Sequence, residues 1–157
     1  MTCATDDHKS FLQEAINLAK ESVEQGGFPA GAVVVKDGII IGRGISIGNK
    51  LNDPTSHGEM SSIRDACRNL KSSDLSGSTL YSSMQPCLMC FAASMWGGIS
   101  KIFFAASKDR VSPEYYGGHY QVAELNPNLL KPIELTHIAE LEEQSLTIVR
   151  SWENSLG

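Results

Sequence analysis

A chain of 157 residues, 41% apolar and 20% charged, is long enough to bury a core without disulfide staples, and its composition excludes the disordered and fibrous classes. A formal net charge of −5 with no run of Lys or Arg argues against a face that tracks a phosphate backbone, so the expected partner is a small molecule and not a nucleic acid. No window approaches the ~18 apolar residues of a membrane span, and Met1 to Ser10 is polar with no apolar h-region. The expected location is therefore cytoplasmic, with no membrane partner. In that reducing setting the cysteines Cys3, Cys67, Cys87 and Cys90 are more often metal ligands or redox groups than disulfides.

In chain order, residues from about His8 to Gln25 read as an amphipathic helix. Phe11, Leu12, Ala15, Ile16, Ala19 and Val23 form its apolar stripe, and Gly26-Gly27 stops it. The runs Ala32 to Val35 and Ile39 to Ile41 flank Asp37-Gly38, a pair that accepts the positive φ of a tight hairpin turn. Asn52-Asp53-Pro54-Thr55-Ser56 is turn chemistry. A helix is expected over about Gly58 to Leu70, with Met60, Ile63, Cys67 and Leu70 as its core stripe. Thr79 to Ser82 reads as a strand. A helix over about Cys87 to Trp96 follows Pro86 and ends at Gly97-Gly98, and Lys101 to Ala106 is a further strand. Ser112 to His119 is turn-rich, Ile133 to Thr136 is a last strand, and Glu140 to Ser155 is a closing helix. No repeat or linker interrupts the chain, so residues 1–157 are expected to form a single domain. Strand–helix–strand units favour an α/β sheet with helices on both faces. Such sheets place reactive groups at strand ends and helix N-termini.

Two short segments carry the chemistry: His57-Gly58-Glu59 and Pro86-Cys87-Leu88-Met89-Cys90. One imidazole and two thiolates are ligand types that zinc prefers, and three protein ligands leave an open position, the mark of a catalytic site. Pro86 suits the first turn of a helix, which would set Cys87 and Cys90 where the helix dipole favours thiolates. Cys67 lies ten residues past His57, about 15 Å along a helix axis, so it is expected to be buried packing and not a fourth ligand. His8, His119 and His137 lack a partner spacing. Residues two apart point away from each other in mid-helix. His57 and Glu59 converge only if His57 stands at the helix entrance, where Thr55 or Ser56 offers a cap. Glu59 then has the reach of a proton shuttle to a water on the ion.

Together, in this order and with Pro before the first Cys, these segments match the zinc-deaminase signature. The chain resembles the cytidine and nucleobase deaminase superfamily from about Phe11 to Ala106, and more weakly over the closing helix. The resemblance implies a three-layer α/β/α sandwich around a five-stranded mixed sheet, one Zn2+ per chain on His57, Cys87 and Cys90, and Glu59 as the catalytic carboxylate. It also implies a homodimer with the pocket near the subunit interface. Asn52-Asp53-Pro54-Thr55 and Trp96 look like bacterial guanine deaminases, whereas Gly58 between His57 and Glu59 looks like fungal cytosine deaminases. Phe28, Ser46, Gly58, Gln85 and Trp96 are the expected substrate-binding residues. Ser46 stands where many relatives carry an Asn, and Tyr116-Gly117-Gly118 falls near the guanine-type Phe-Asp-Asp. Tyr115, Tyr116, His119 and Tyr120 are expected to form a lid, and Trp152 to pack. The expected activity is hydrolytic release of ammonia from a free nucleobase or related aminated ring, guanine deaminase-like. Cytosine or triazine deamination, a tRNA adenosine deaminase, a non-catalytic zinc-binding subunit and a thiol redox protein remain alternatives.

Overall fold

The computed structural model describes residues 4–157, with side chains from Asp7 onward, so Cys3 lies outside the described residues. The elements are α1 (Ala4–Glu24), β1 (Phe28–Lys36), β2 (Ile39–Ser46), α2 (Gly48–Leu51), α3 (Gly58–Leu70), β3 (Ser78–Met84), α4 (Leu88–Gly97), β4 (Lys101–Ala106), α5 (Val122–Leu125), β5 (Glu134–His137) and α6 (Glu142–Ser155), with short 3-10 turns between β4 and α6. The five strands form one mixed sheet in the order β2-β1-β3-β4-β5. β1 runs antiparallel to both β2 and β3, and β3, β4 and β5 run parallel.

Both faces of the sheet are covered, and strand alternation sorts the core into two layers. Val33, Val35, Tyr81 and Phe103 point to one face, where Leu12, Ala15, Ile16 and Ala19 of α1 and Ile148 of α6 meet them. Ala32, Val34, Leu80 and Ile102 point to the other, against Ile63 and Ala66 of α3 and Phe91 of α4. Helices on both faces are what the pattern of elements led one to expect, and the three layers are those that the family resemblance implied. The hairpin turn also falls where expected, with Asp37 and Gly38 both at positive φ (51° and 74°).

The buried stripe of α3 differs from the expected one. Glu59, Ser62, Ile63 and Ala66 are buried, while Leu70 is exposed and Met60 and Cys67 are half-buried. Two glycines in β2 are the cause. A Cβ on Gly44 would stand 2.2 Å from the Gly58 carbonyl oxygen and 2.3 Å from the Ser62 nitrogen. One on Gly42 would stand 2.3 Å from the Ser62 carbonyl oxygen. The bare strand lets α3 approach so closely that only small residues fit beneath it. Cys67 packs at the margin of this layer. Gly44→Ala is expected to lower the urea midpoint, with a loss of about 3 kcal/mol, the upper part of the usual overpacking range, because backbone must move. A variant within 0.5 kcal/mol of the parent would refute this packing account.

The topology sets up a site. β3 ends at Met84 and α4 begins at Leu88, so only three residues turn the chain from a central strand into a helix N-terminus. β1 begins at Phe28 beside that point, paired with Ser46 at the end of β2.

Candidate active site

The loop before α3 is built to present His57. Asn52 adopts the left-handed conformation (φ 54°) and closes α2. Asp53 Oδ1 then accepts from the Thr55 N–H at 2.9 Å and from its hydroxyl at 2.6 Å. Arg64 of α3 donates to Thr55 Oγ1 at 2.7 Å, which ties the loop to the helix it feeds. The N-cap is neither Thr55 nor Ser56 but His57 itself (φ −71°, ψ 161°), with no side-chain capping bond. Thr55 is already engaged with Asp53 and Arg64. The extended φ/ψ of His57 lets its ring and Glu59 turn to the same side, as convergence at a helix entrance requires.

Cys87 occupies the equivalent place on α4. It is the N-cap (φ −72°, ψ 174°), so Pro86 stands one residue outside the helix and Cys90 is its third residue. Two helix N-termini therefore meet at the three ligands, and both dipoles favour anionic sulfur and oxygen there. His57 Nδ1 lies 3.6 Å from Cys87 Sγ and 3.7 Å from Cys90 Sγ, and the two sulfurs are 3.7 Å apart. A tetrahedral ion with Zn–S near 2.3 Å and Zn–N near 2.0–2.1 Å sets its sulfurs about 3.8 Å apart and each sulfur about 3.6 Å from the nitrogen. The triangle fits zinc without movement. Cys67 and Glu59 stand outside this group.

Electrostatics at the cluster are those of a crowded, buried set. Burial pushes the Glu59 carboxyl up to about 7, and the neighbouring Cys87 charge adds to the rise. Cys87 is drawn down to about 4, first by its hydrogen bond with Cys90 and then by His57. Cys90 moves the opposite way, through the same bond and its burial. His57 is raised, chiefly by its contact with Cys87.

A cavity of about 730 Å3 opens onto these groups, and His57, Glu59 and Cys87 line it. Of the expected substrate residues, the structure brings Phe28, Ser46 and Gln85 to the same cavity. Gln85 Oε1 accepts from the Lys108 N–H at 2.9 Å, which leaves its amide nitrogen as the end available to a ligand. Gly58 and Trp96 are not among the lining residues. Gly58 is wedged against Gly31, whose Cα would stand 3.0 Å from an added Cβ, so its role in the fold is close packing. Trp96 is 82% exposed in the single chain. Six residues of helix carry it about 240° around the axis from Cys90, away from the ligands.

Asn49, Asn52 and Asp53, on and after α2, and Leu156 line the cavity although no pocket role was expected of them, and Tyr115 and Tyr116, expected in a lid, and Trp152, expected to pack, line it as well. Phe28, Tyr115 and Trp152 form a mutual edge-to-face cluster with ring centroids 5.1, 5.2 and 6.1 Å apart. Trp152 thus both packs and faces the cavity. The Tyr115 hydroxyl donates to Glu153 at 2.6 Å, which joins the Ser112–His119 stretch to α6. Tyr116 is buried against Cys87 and Cys90 and forms part of the cavity wall.

Residues 5–106 match the family model described as the cytidine and deoxycytidylate deaminase zinc-binding region. The chain belongs to this deaminase family. The family's zinc-binding character agrees with the donor triangle, so Zn2+ is its cofactor. A guanine deaminase of Bacillus subtilis (strain 168) is 45% identical over 101 residues, which cover 64% of this chain and 65% of that protein. A tRNA-specific adenosine deaminase of Aquifex aeolicus (strain VF5) is 42% identical over 96 residues, covering 61% of this chain and 64% of that protein. The chain thus spans just under two thirds of the length of these curated relatives. A solved guanine deaminase from Bacillus subtilis matches with a TM-score of 0.66 and 34% identity, covering 94% of each chain. Within the deaminase family the relatives therefore divide between a free base and a tRNA. No helix of the described residues is long and apolar enough to cross a membrane.

Proposed function

We propose that this deaminase hydrolyses the exocyclic amine of a free nucleobase-like ring, with guanine deaminase chemistry as the nearest type. The observation that carries the reading is the wall of the cavity. Aromatic rings and small polar groups line it, and no Lys or Arg is among the lining residues. A nucleotide or a tRNA strand would bring phosphates to a mouth that offers Asp53 and Glu114 instead.

Zinc, which His57, Cys87 and Cys90 would hold, would supply the Lewis acidity that activates a water at neutral pH. The Glu59 carboxylate accepts the proton of the attacking water, returns it to the ring nitrogen, and assists departure of the amine as ammonia. Phe28, Tyr115 and Trp152 exclude bulk water and give a flat ring an apolar seat. Ser46 and the Gln85 amide orient its polar edge. Trp152→Ala is expected to raise KM roughly tenfold, the equivalent of about 1.4 kcal/mol of binding, with a smaller change in kcat. Steady-state kinetics on the preferred ring measure both, and an unchanged KM would remove Trp152 from the pocket.

The 42% identity to a tRNA-specific adenosine deaminase favours a second reading, in which an adenosine in a tRNA loop is the substrate. A comparison of kcat/KM on a free base, its nucleoside, its 5′-monophosphate and a tRNA stem-loop separates the two. The free base is expected to win, with no salt-dependent binding of the stem-loop. Preferred turnover of the stem-loop, falling steeply with salt, would replace the first reading with the second.

Leu88 and Trp96 expose apolar surface along α4 (44% and 82%), which supports pairing with a second copy to form a homodimer. Light scattering is expected to give twice the 17.0 kDa chain mass. The reduced thiolates that the site requires suit a cytoplasmic location.

A further inference from the structure

Lys108 follows β4 and takes no part in the chemistry above, yet it is among the most buried charged side chains, 6% exposed. Burying an ammonium is costly unless its charge is met. Among the described residues Lys108 makes no ion pair. Its partners are instead one carbonyl and two aromatic faces. Nζ donates to the Gly118 carbonyl at 3.0 Å. It stands 5.3 Å from the Tyr116 ring centroid and 4.9 Å from that of Tyr120, both within cation–π reach.

Each of those rings sends its hydroxyl to the corner that carries Cys87. The Tyr116 hydroxyl donates to the Gln85 carbonyl at 2.7 Å. The Leu88 N–H, in the first turn of α4, donates to Tyr120 Oη at 2.9 Å. The Lys108 N–H itself donates to Gln85 Oε1 at 2.9 Å. The backbone on both sides of Pro86-Cys87 is therefore held by groups that converge on one buried cation. Both rings also pack against the ligand cluster, Tyr116 as a buried member and Tyr120 at its edge.

We propose that Lys108 is a positioning residue for the metal centre: its ammonium clamps the Tyr116 and Tyr120 rings, and their hydroxyls hold the Gln85–Leu88 corner so that Cys87 keeps its place in the ligand triangle. The proposal concerns the hold on zinc and is independent of which ring is deaminated. Groups one layer behind the ligands commonly change metal affinity by 10–100-fold.

The test is zinc release from the loaded full-length chain into excess chromogenic chelator, followed in time and compared with the parent. Lys108→Met keeps the unbranched side chain to within one atom of its length and removes its charge. It is expected to release zinc roughly 10–100 times faster, with Lys108→Arg returning most of the way to the parent rate. Tyr120→Phe removes one oxygen from the relay and is expected to speed release in the same sense. In the cobalt-substituted protein the thiolate charge-transfer band is expected to shift or weaken in both Lys108→Met and Tyr120→Phe. Release at the parent rate in Tyr120→Phe, or Lys108→Arg as fast as Lys108→Met, would overturn the proposal. Should Lys108→Met fail to fold, Tyr120→Phe decides alone.

Discussion

Glu59→Gln is expected to lower the kcat of ammonia release roughly 10²–10⁴-fold, while one zinc per chain stays bound. The size follows from the general worth of a positioned acid–base group. Glu59 lies at the second position of α3, 5% exposed, beside but outside the ligand triangle. Glutamine fills the same space and leaves His57, Cys87 and Cys90 untouched. Its amide cannot take a proton from water and hand it on. A shape-neutral change should therefore act on kcat and leave KM and zinc content close to the parent values. Turnover within tenfold of the parent would show that the proton moves by another route.

Cys90→Ala is expected to act through the metal instead. Cys90 is fully buried, and its sulfur completes a triangle with edges of 3.6 to 3.7 Å. Two protein ligands cannot hold zinc as three do, so zinc content after dialysis is expected to fall from one per chain to near zero, with loss of all turnover. The thermal midpoint is expected to fall with it, because ligand binding to the native state stabilises by about 2.7 kcal/mol at a hundredfold excess over Kd. Adding a chelator to the parent should reproduce both effects, and adding zinc should reverse them. Retention of stoichiometric zinc in Cys90→Ala would mean that the ion sits elsewhere.

How much of this was legible in the sequence depends on the range of the interaction. Local rules served well. Asp37-Gly38 marked the hairpin because the turn needs two positive φ values, and α3 runs over Gly58–Leu70, the span expected for it. The ligand set was also local, two segments whose spacing has a chemical reason. The errors came where a distant partner decided. The stripe of α3 shifted to Ser62 and Ala66 because glycines 18–24 residues earlier, on another strand, set how closely the helix could lie. Trp96, expected to bind substrate, is exposed in the single chain and is not among the cavity's lining residues. Trp152, expected to pack, also reaches the cavity beside Phe28 across more than eighty residues of chain, a contact that no periodicity announces. The caps failed for a subtler reason. Thr55 is a good N-cap by type, but Asp53 and Arg64 claim its hydroxyl, so the ligand itself takes the capping position.

In the proposed function a zinc centre and Glu59, in an aromatic cavity lined by no Lys or Arg, deaminate a free ring. The most direct test is ammonia release by the zinc-loaded protein against guanine, cytosine, an aminotriazine and other aminated bases, with zinc content measured on the same samples. Turnover of at least one free ring, scaling with bound zinc, is the expected result. No ammonia from any free base, with one zinc per chain present, would contradict it.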